Sequence, residues 1–185
     1  MQIDHQLGLI ADIEYRCSPN QDERPDSEAI TGIVIHNISL PPGEFGGGWI
    51  DDLFLNKLNP KAHPYFERIA DVCVSAHLLI RRDGELIQYV PFHQRAWHAG
   101  ISLWDGKEGC NDFTIGIELE GCDDQTFEYS QYEILVTTIR ALVKAYPQLS
   151  FDRIVGHSDI APGRKTDPGP YFDWAYFRNT LTVEL

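Results

Sequence analysis

Thr114-Ile115-Gly116-Ile117-Glu118-Leu119-Glu120 sets Ile115, Ile117 and Leu119 against Thr114, Gly116, Glu118 and Glu120, a strict two-residue alternation. Successive side chains of a β-strand leave opposite faces, so this stretch predicts a strand with one apolar face and both glutamates on the other. Upstream, residues 30–36 carry Ile33, Val34 and Ile35 in a row and predict a buried strand ending at His36. Pro41-Pro42-Gly43 and Gly46-Gly47-Gly48 stop it and open a long loop, with a short helix expected over 49–55. Residues 74–80 and 86–90 read as two strands joined through the turn signal Arg82-Asp83-Gly84. Downstream, the clearest helix covers 130–146. Leu135, Ile139, Leu142 and Tyr146 repeat at four, three and four, Ser130 and Glu133 form a capping-box pattern, and Pro147 ends it. Residues 153–156 predict a short strand leading into His157. A last helix is expected over 172–181, with Phe172, Trp174, Ala175 and Phe177 on its apolar face.

These elements predict one α/β domain over 30–181, a central mixed sheet flanked by helices. An irregular lead-in over 1–29, broken by Pro19 and Pro25, packs on it, and 182–185 form a tail. The 185 residues suit a single core. With 15 basic and 28 acidic side chains the formal net charge is −13, which repels polyanions and argues against nucleic acid as a partner. No run approaches the roughly 18–20 apolar residues a membrane helix needs, and no secretory leader opens the sequence. The expectation is a cytoplasmic monomer. Cys17, Cys73, Cys110 and Cys122 lack zinc-knuckle spacing and are too sparse for a disulfide framework, so reduced thiols are expected.

Of seven histidines, none forms a His-Glu-x-x-His helix motif. His36 and His157 instead end predicted strands, and Asp167 lies in Lys165-Thr166-Asp167-Pro168-Gly169-Pro170, stiffened by two prolines. Taken singly, each reads as a structural or surface residue. His77, alternating with Ser75 and Leu79, reads as a hydrogen-bonded structural histidine.

Together the segments resemble a known family. They are Val34-Ile35-His36-Asn37, Ser75-Ala76-His77, Ala96-Trp97-His98-Ala99-Gly100, Cys110-Asn111-Asp112-Phe113, Ile115-Gly116-Ile117-Glu118-Leu119-Glu120-Gly121, Val155-Gly156-His157 and residues 160–170. Their order and content resemble the AmpD-type 1,6-anhydro-N-acetylmuramoyl-L-alanine amidases, type-2 amidases related to peptidoglycan-recognition proteins. The resemblance covers about residues 30–181 and implies the mixed sheet flanked by helices. It implies a zinc ion held by His36, His157 and Asp167, a general base in Glu118, an oxyanion-stabilising cation in Lys165, and an auxiliary role for Tyr65 near the site. Two imidazoles and one carboxylate fit a catalytic zinc, which keeps one position open for water. Periodicity alone does not choose between Glu118 and Glu120, either of which could be a solvated side chain.

The implied substrate is an anhydro-muropeptide, cut between the lactyl group of 1,6-anhydro-N-acetylmuramic acid and L-alanine during peptidoglycan recycling. Asn37 is a candidate hydrogen-bonding group, and Trp97 and Trp104 are candidate platforms for a sugar ring. Relatives often carry arginines where this chain has Cys73 and Gly109; Lys107 offers a point charge in their place. Weaker dependence on the stem peptide's diaminopimelate carboxylate is therefore expected. Two other readings stay open: an amidase of intact peptidoglycan, and a non-catalytic peptidoglycan-binding module.

Overall fold

A computed structural model describes residues 1–25 and 29–183, so residues 26–28 of the lead-in and 184–185 of the tail lie outside the described residues. Six strands form one sheet: β1 (Glu14–Tyr15), β2 (Gly32–Ile38), β3 (Leu78–Ile80), β4 (Leu86–Gln88), β5 (Thr114–Glu120) and β6 (Ile154–Gly156). Their order is β6-β2-β5-β3-β4-β1. The first four run parallel, β4 turns back antiparallel to β3, and β1 lies parallel to β4 at the edge. The sheet is mixed, as expected. Among the described residues four α-helices accompany it: α1 (Trp49–Phe54), α2 (Tyr129–Ala145), α3 (His157–Ile160) and α4 (Trp174–Thr182).

The alternation of β5 divides the molecule. Ile115, Ile117 and Leu119, with Ile33 and Ile35 of β2, pack against Leu135, Ile139 and Leu142 of α2 and Phe177 and Leu181 of α4. Each such aliphatic contributes about 1.5–3 kcal/mol by leaving water. On the opposite face Val34 packs with Ala99, Cys110, Phe113 and Ile160, while α1 covers Leu79, Ile87 and Tyr89. That second face also carries His36, Gly116, Glu118 and Glu120.

Several local expectations are corrected. The capping residues of α2 are Glu128 and Gln131, not Ser130 and Glu133: Gln131 Oε1 accepts from Glu128 N at 3.0 Å. The same carboxamide donates to Ile80 O and Glu120 O, so one buried side chain serves the helix start and two strand ends. Ala175 is exposed, and the buried stripe of α4 is Phe177 and Leu181. The strand expected over 74–80 begins only at Leu78, because Asn20 Nδ2 takes Val74 O and Ser75 N reaches Trp97 O. The lead-in is more regular than predicted, since β1 extends the sheet and Gln21–Glu23 pairs antiparallel with Gln94–Ala96. Arg24 follows that pair and donates to the carbonyls of Phe92, Asn111, Asp112 and Thr114. Among the described residues no helix is long and apolar enough to cross a membrane.

Candidate active site

Parallel strands place their carboxyl ends at one edge, where open α/β sheets bind ligands. His36 on β2 is the register partner of Glu118 on β5, so both side chains leave the same face. Gly156 of β6 pairs with Ile35, which brings His157, the first residue of α3, beside His36. A Cβ on Gly156 would come within 2.8 Å of Pro168 Cδ, so glycine there lets the Asp167-Pro168 loop close onto the strand end. Ser158 N donates to Asp167 O and fastens it.

Three side chains converge. His36 Nδ1 lies 2.9 Å from His157 Nδ1 and 2.9 Å from Asp167 Oδ2, and His157 Nδ1 lies 3.0 Å from the same oxygen. The surrounding bonds decide where the protons sit. His157 Nε2 is 3.0 Å from Ala99 O, which can only accept, so that nitrogen carries the proton and Nδ1 is bare. Thr114 Oγ1 donates to Cys110 O at 2.6 Å, leaving its oxygen to accept from His98 Nε2 at 3.2 Å. His98 Nδ1 then accepts from His36 Nε2 at 3.0 Å, and His36 Nδ1 is bare as well. Two unprotonated imidazole nitrogens and a carboxylate oxygen face one another with no hydrogen to share. A cation resolves that repulsion, and the ligand types and spacing suit a divalent ion.

Titration points the same way. Burial pushes His36 down to about 4, against the opposing pull of Asp167, so the ring is neutral near pH 7. Glu118 behaves oppositely. Burial first, and the Asp167 charge second, raise its carboxyl well above the ordinary range, with Lys165 opposing. Its Oε2 is sealed from water and has no partner. An unsatisfied buried carboxyl of this kind marks a functional site.

An open cleft of about 510 Å³ lies over the cluster, lined by Asn37, Tyr65, Glu118 and Lys165 as well as the two histidines and Asp167. Asn37 Nδ2 is spent on Asp123 Oδ1 and Pro168 O, so it also ties β2 to the loop that carries Asp167. Trp97 does not line the cleft; its indole N–H donates to Asp22. Trp104 is covered by the Arg153 guanidinium, 4.5 Å from its ring centre, and packs on Gly32. Lys107 is exposed on the outer hairpin, its ammonium 4.4 Å from the Phe113 ring centre, outside the cleft. Sequence reasoning gave His98 no role. Its one local signal is Gly116: a Cβ there would fall 2.4 Å from His98 Cγ, and a strand glycine marks such close approach. His77 accepts from Gly116 N and lies 3.1 Å from Gln94 O, in the structural role expected.

The Amidase_2 family profile, described as N-acetylmuramoyl-L-alanine amidase, matches residues 26–170. Over 176 residues the chain is 57% identical to the 1,6-anhydro-N-acetylmuramyl-L-alanine amidase AmpD of Enterobacter cloacae, covering 95% of this chain and 94% of that protein. A crystal structure of a selenomethionine AmpD derivative aligns with a TM-score of 0.94 at 55% identity, over 98% of this chain and all of that one. The Escherichia coli amidase AmiD, solved with the substrate anhydro-N-acetylmuramic acid-L-Ala-D-gamma-Glu-L-Lys, aligns with a TM-score of 0.60 at 29% identity, covering 85% of this chain and 60% of AmiD. The fold, the cleft and these near end-to-end alignments lead to one assignment: this chain belongs to the Amidase_2 family of N-acetylmuramoyl-L-alanine amidases, in its AmpD-type branch.

Proposed function

We propose that the chain hydrolyses the amide bond between the lactyl group of 1,6-anhydro-N-acetylmuramic acid and L-alanine of the stem peptide, using zinc held by His36, His157 and Asp167. The observation that carries this is the convergence of two bare Nδ1 atoms and Asp167 Oδ2 at 2.9–3.0 Å beneath an open cleft. A zinc ion bound there lowers the pKa of water to about 7 and polarises a carbonyl. Glu118, with a raised proton affinity, takes the proton of the attacking water and passes it to the leaving amine. Lys165, on the cleft wall, faces the negative charge that grows on the carbonyl oxygen, a contribution of about 3 kcal/mol to the barrier. Asn37 and Tyr65 line the path of the substrate. Trp97 and Lys107 have no part in this reading.

The anhydro-sugar specificity is supported by the activity that names the Enterobacter relative and by the substrate in the AmiD complex. A recycling role in the cytoplasm agrees with four cysteines standing as free thiols, the state a reducing compartment maintains. The test is mass spectrometry of a defined anhydro-muropeptide after incubation. The expected products are the free anhydro-muramic acid and an intact stem peptide, lost on treatment with a chelator and restored by zinc. Unchanged hydrolysis in the thoroughly chelated protein would defeat the zinc assignment. No release of L-alanine-headed peptide would defeat the whole reading.

A further inference from the structure

We infer that Asn111 is a positioning residue that sets the tautomers of both histidines at the site, acting through the two-residue segment His98-Ala99. The inference rests on the reading of His36 and His157 as metal ligands. Asn111 Oδ1 accepts from two consecutive backbone N–H groups, His98 N at 3.1 Å and Ala99 N at 2.7 Å. That segment supplies the outer partner of each ligand: His98 Nδ1 for His36 Nε2, and Ala99 O for His157 Nε2, both at 3.0 Å. One carboxamide oxygen therefore bears on the place of both acceptors, with Ala99 O held from its other side by Arg164 Nη2 at 2.7 Å.

The turn that bears Asn111 grips the segment at a second point. Cys110 O receives the Thr114 hydroxyl, whose oxygen faces His98 Nε2, so the ring is oriented at its far end while the backbone is held at its near end. The turn is itself fixed by Arg24, which donates to Asn111 O at 3.0 Å and Asp112 O at 2.9 Å. The result is a continuous frame behind the ligands, made from the Ala96-Trp97-His98-Ala99-Gly100 and Cys110-Asn111-Asp112-Phe113 segments, neither of which supplies a ligand. Partners of this kind that orient metal-binding imidazoles are worth about 10–100-fold in metal affinity.

Because the oxygen alone does the work, Asn111→Asp keeps the frame and Asn111→Leu removes it at similar volume. Long-range proton–nitrogen NMR of the imidazoles in zinc-free protein reads the tautomers directly, and competition with a chelator reads zinc affinity. The parent protein and Asn111→Asp are expected to share one tautomer pattern for His36 and His157. In Asn111→Leu both rings should show mixed tautomers, and zinc affinity should fall about 10–100-fold. Asn111→Ala, which leaves a void rather than an apolar clash, serves if the leucine variant does not fold. The parental tautomer pattern and parental zinc affinity in a folded leucine or alanine variant would overturn the inference. If the parent protein binds no zinc, the metal reading fails separately, and the NMR comparison still decides the role of Asn111.

Discussion

Glu118 and Glu120 stand two residues apart on the same face of β5, yet their surroundings are opposite. Glu120, only 2% exposed, has a partner on each oxygen: Oε1 accepts from Gly46 N at 2.7 Å and Arg81 Nη1 at 3.2 Å, and Oε2 accepts from Arg82 N at 3.1 Å. Arg81 also reaches Asp51 of α1 at 2.7 Å, so the cluster binds the glycine-rich loop and the helix to the strand. Glu118 keeps Oε2 without a partner beside Asp167 and Lys165. A carboxylate with a partner on each oxygen is a fastener. One left short of hydrogen bonds at the edge of a cleft is available for proton transfer, and its burial carries an energetic cost.

The contrast can be broken most sharply at Glu118 itself. Glu118→Gln should lower kcat on an anhydro-muropeptide by about 10²–10⁴-fold while leaving the melting temperature unchanged or higher. Parental turnover in that variant would end its assignment as the base. Lys165→Met should cost about 10²–10³-fold in kcat, with little change in melting; a pure KM effect would reassign it to substrate binding. Glu120→Gln should do the reverse, costing about 3 kcal/mol in denaturant unfolding while folded protein turns over normally. If Glu120→Gln proved as stable as the parent, the fastener reading would be wrong.

The same face makes a pH prediction. His77 and His98 are held well below the usual histidine range, both chiefly by burial, with nearby Arg24 or histidine charge adding to it. The unfolded chain takes up protons near pH 6.5 that these folded rings refuse. The contribution of these two rings is therefore complete above about pH 6.5 and falls as pH drops, by about 1.4 kcal/mol per pH unit for each histidine, while the raised Glu118 carboxyl works in the opposite sense and is removed from the comparison by using Glu118→Gln. Urea titrations of zinc-free protein from pH 7.5 to 5 check the slope; a flat profile would mean the rings are already charged when folded. The smallest effect concerns the stem peptide. With Cys73 and Gly109 where relatives often carry arginine, and Lys107 outside the cleft, removing the diaminopimelate residue should change kcat/KM by less than about tenfold. A larger drop would point to a cation in the cleft taking over that carboxylate.

Periodicity made the sheet legible. The alternation of residues 114–120 and the run at 33–35 are realised in register-paired parallel strands. The two histidines, Asp167 and Glu118 were legible from the resemblance, while spacing in the chain alone left them as separate residues. What stayed hidden had no periodic trace. His98 and Asn111 act through side-chain and backbone bonds between loops, and the strand position that announces them, Gly116, reads equally as a weak point in a strand. Trp97 and Lys107 fall outside the cleft lining, because a residue type fit for sugar or carboxylate contact carries no information about which way its loop faces. Periodicity left Glu118 and Glu120 equivalent, and the bonds that set them apart come from Arg81 and Gly46, which lie 39 and 74 positions from Glu120.

Arg24 bears on how the gene product can be trimmed. Its guanidinium reaches four carbonyls, two of them on the Asn111 turn, from a segment that looks dispensable as a preamble to the sheet. A shortened protein starting at Ile30 would keep every residue that lines the cleft and yet lose the clamp on that turn. Engineers who prune the front of this enzyme should therefore expect slack in its chemistry before they see any loss of its outline.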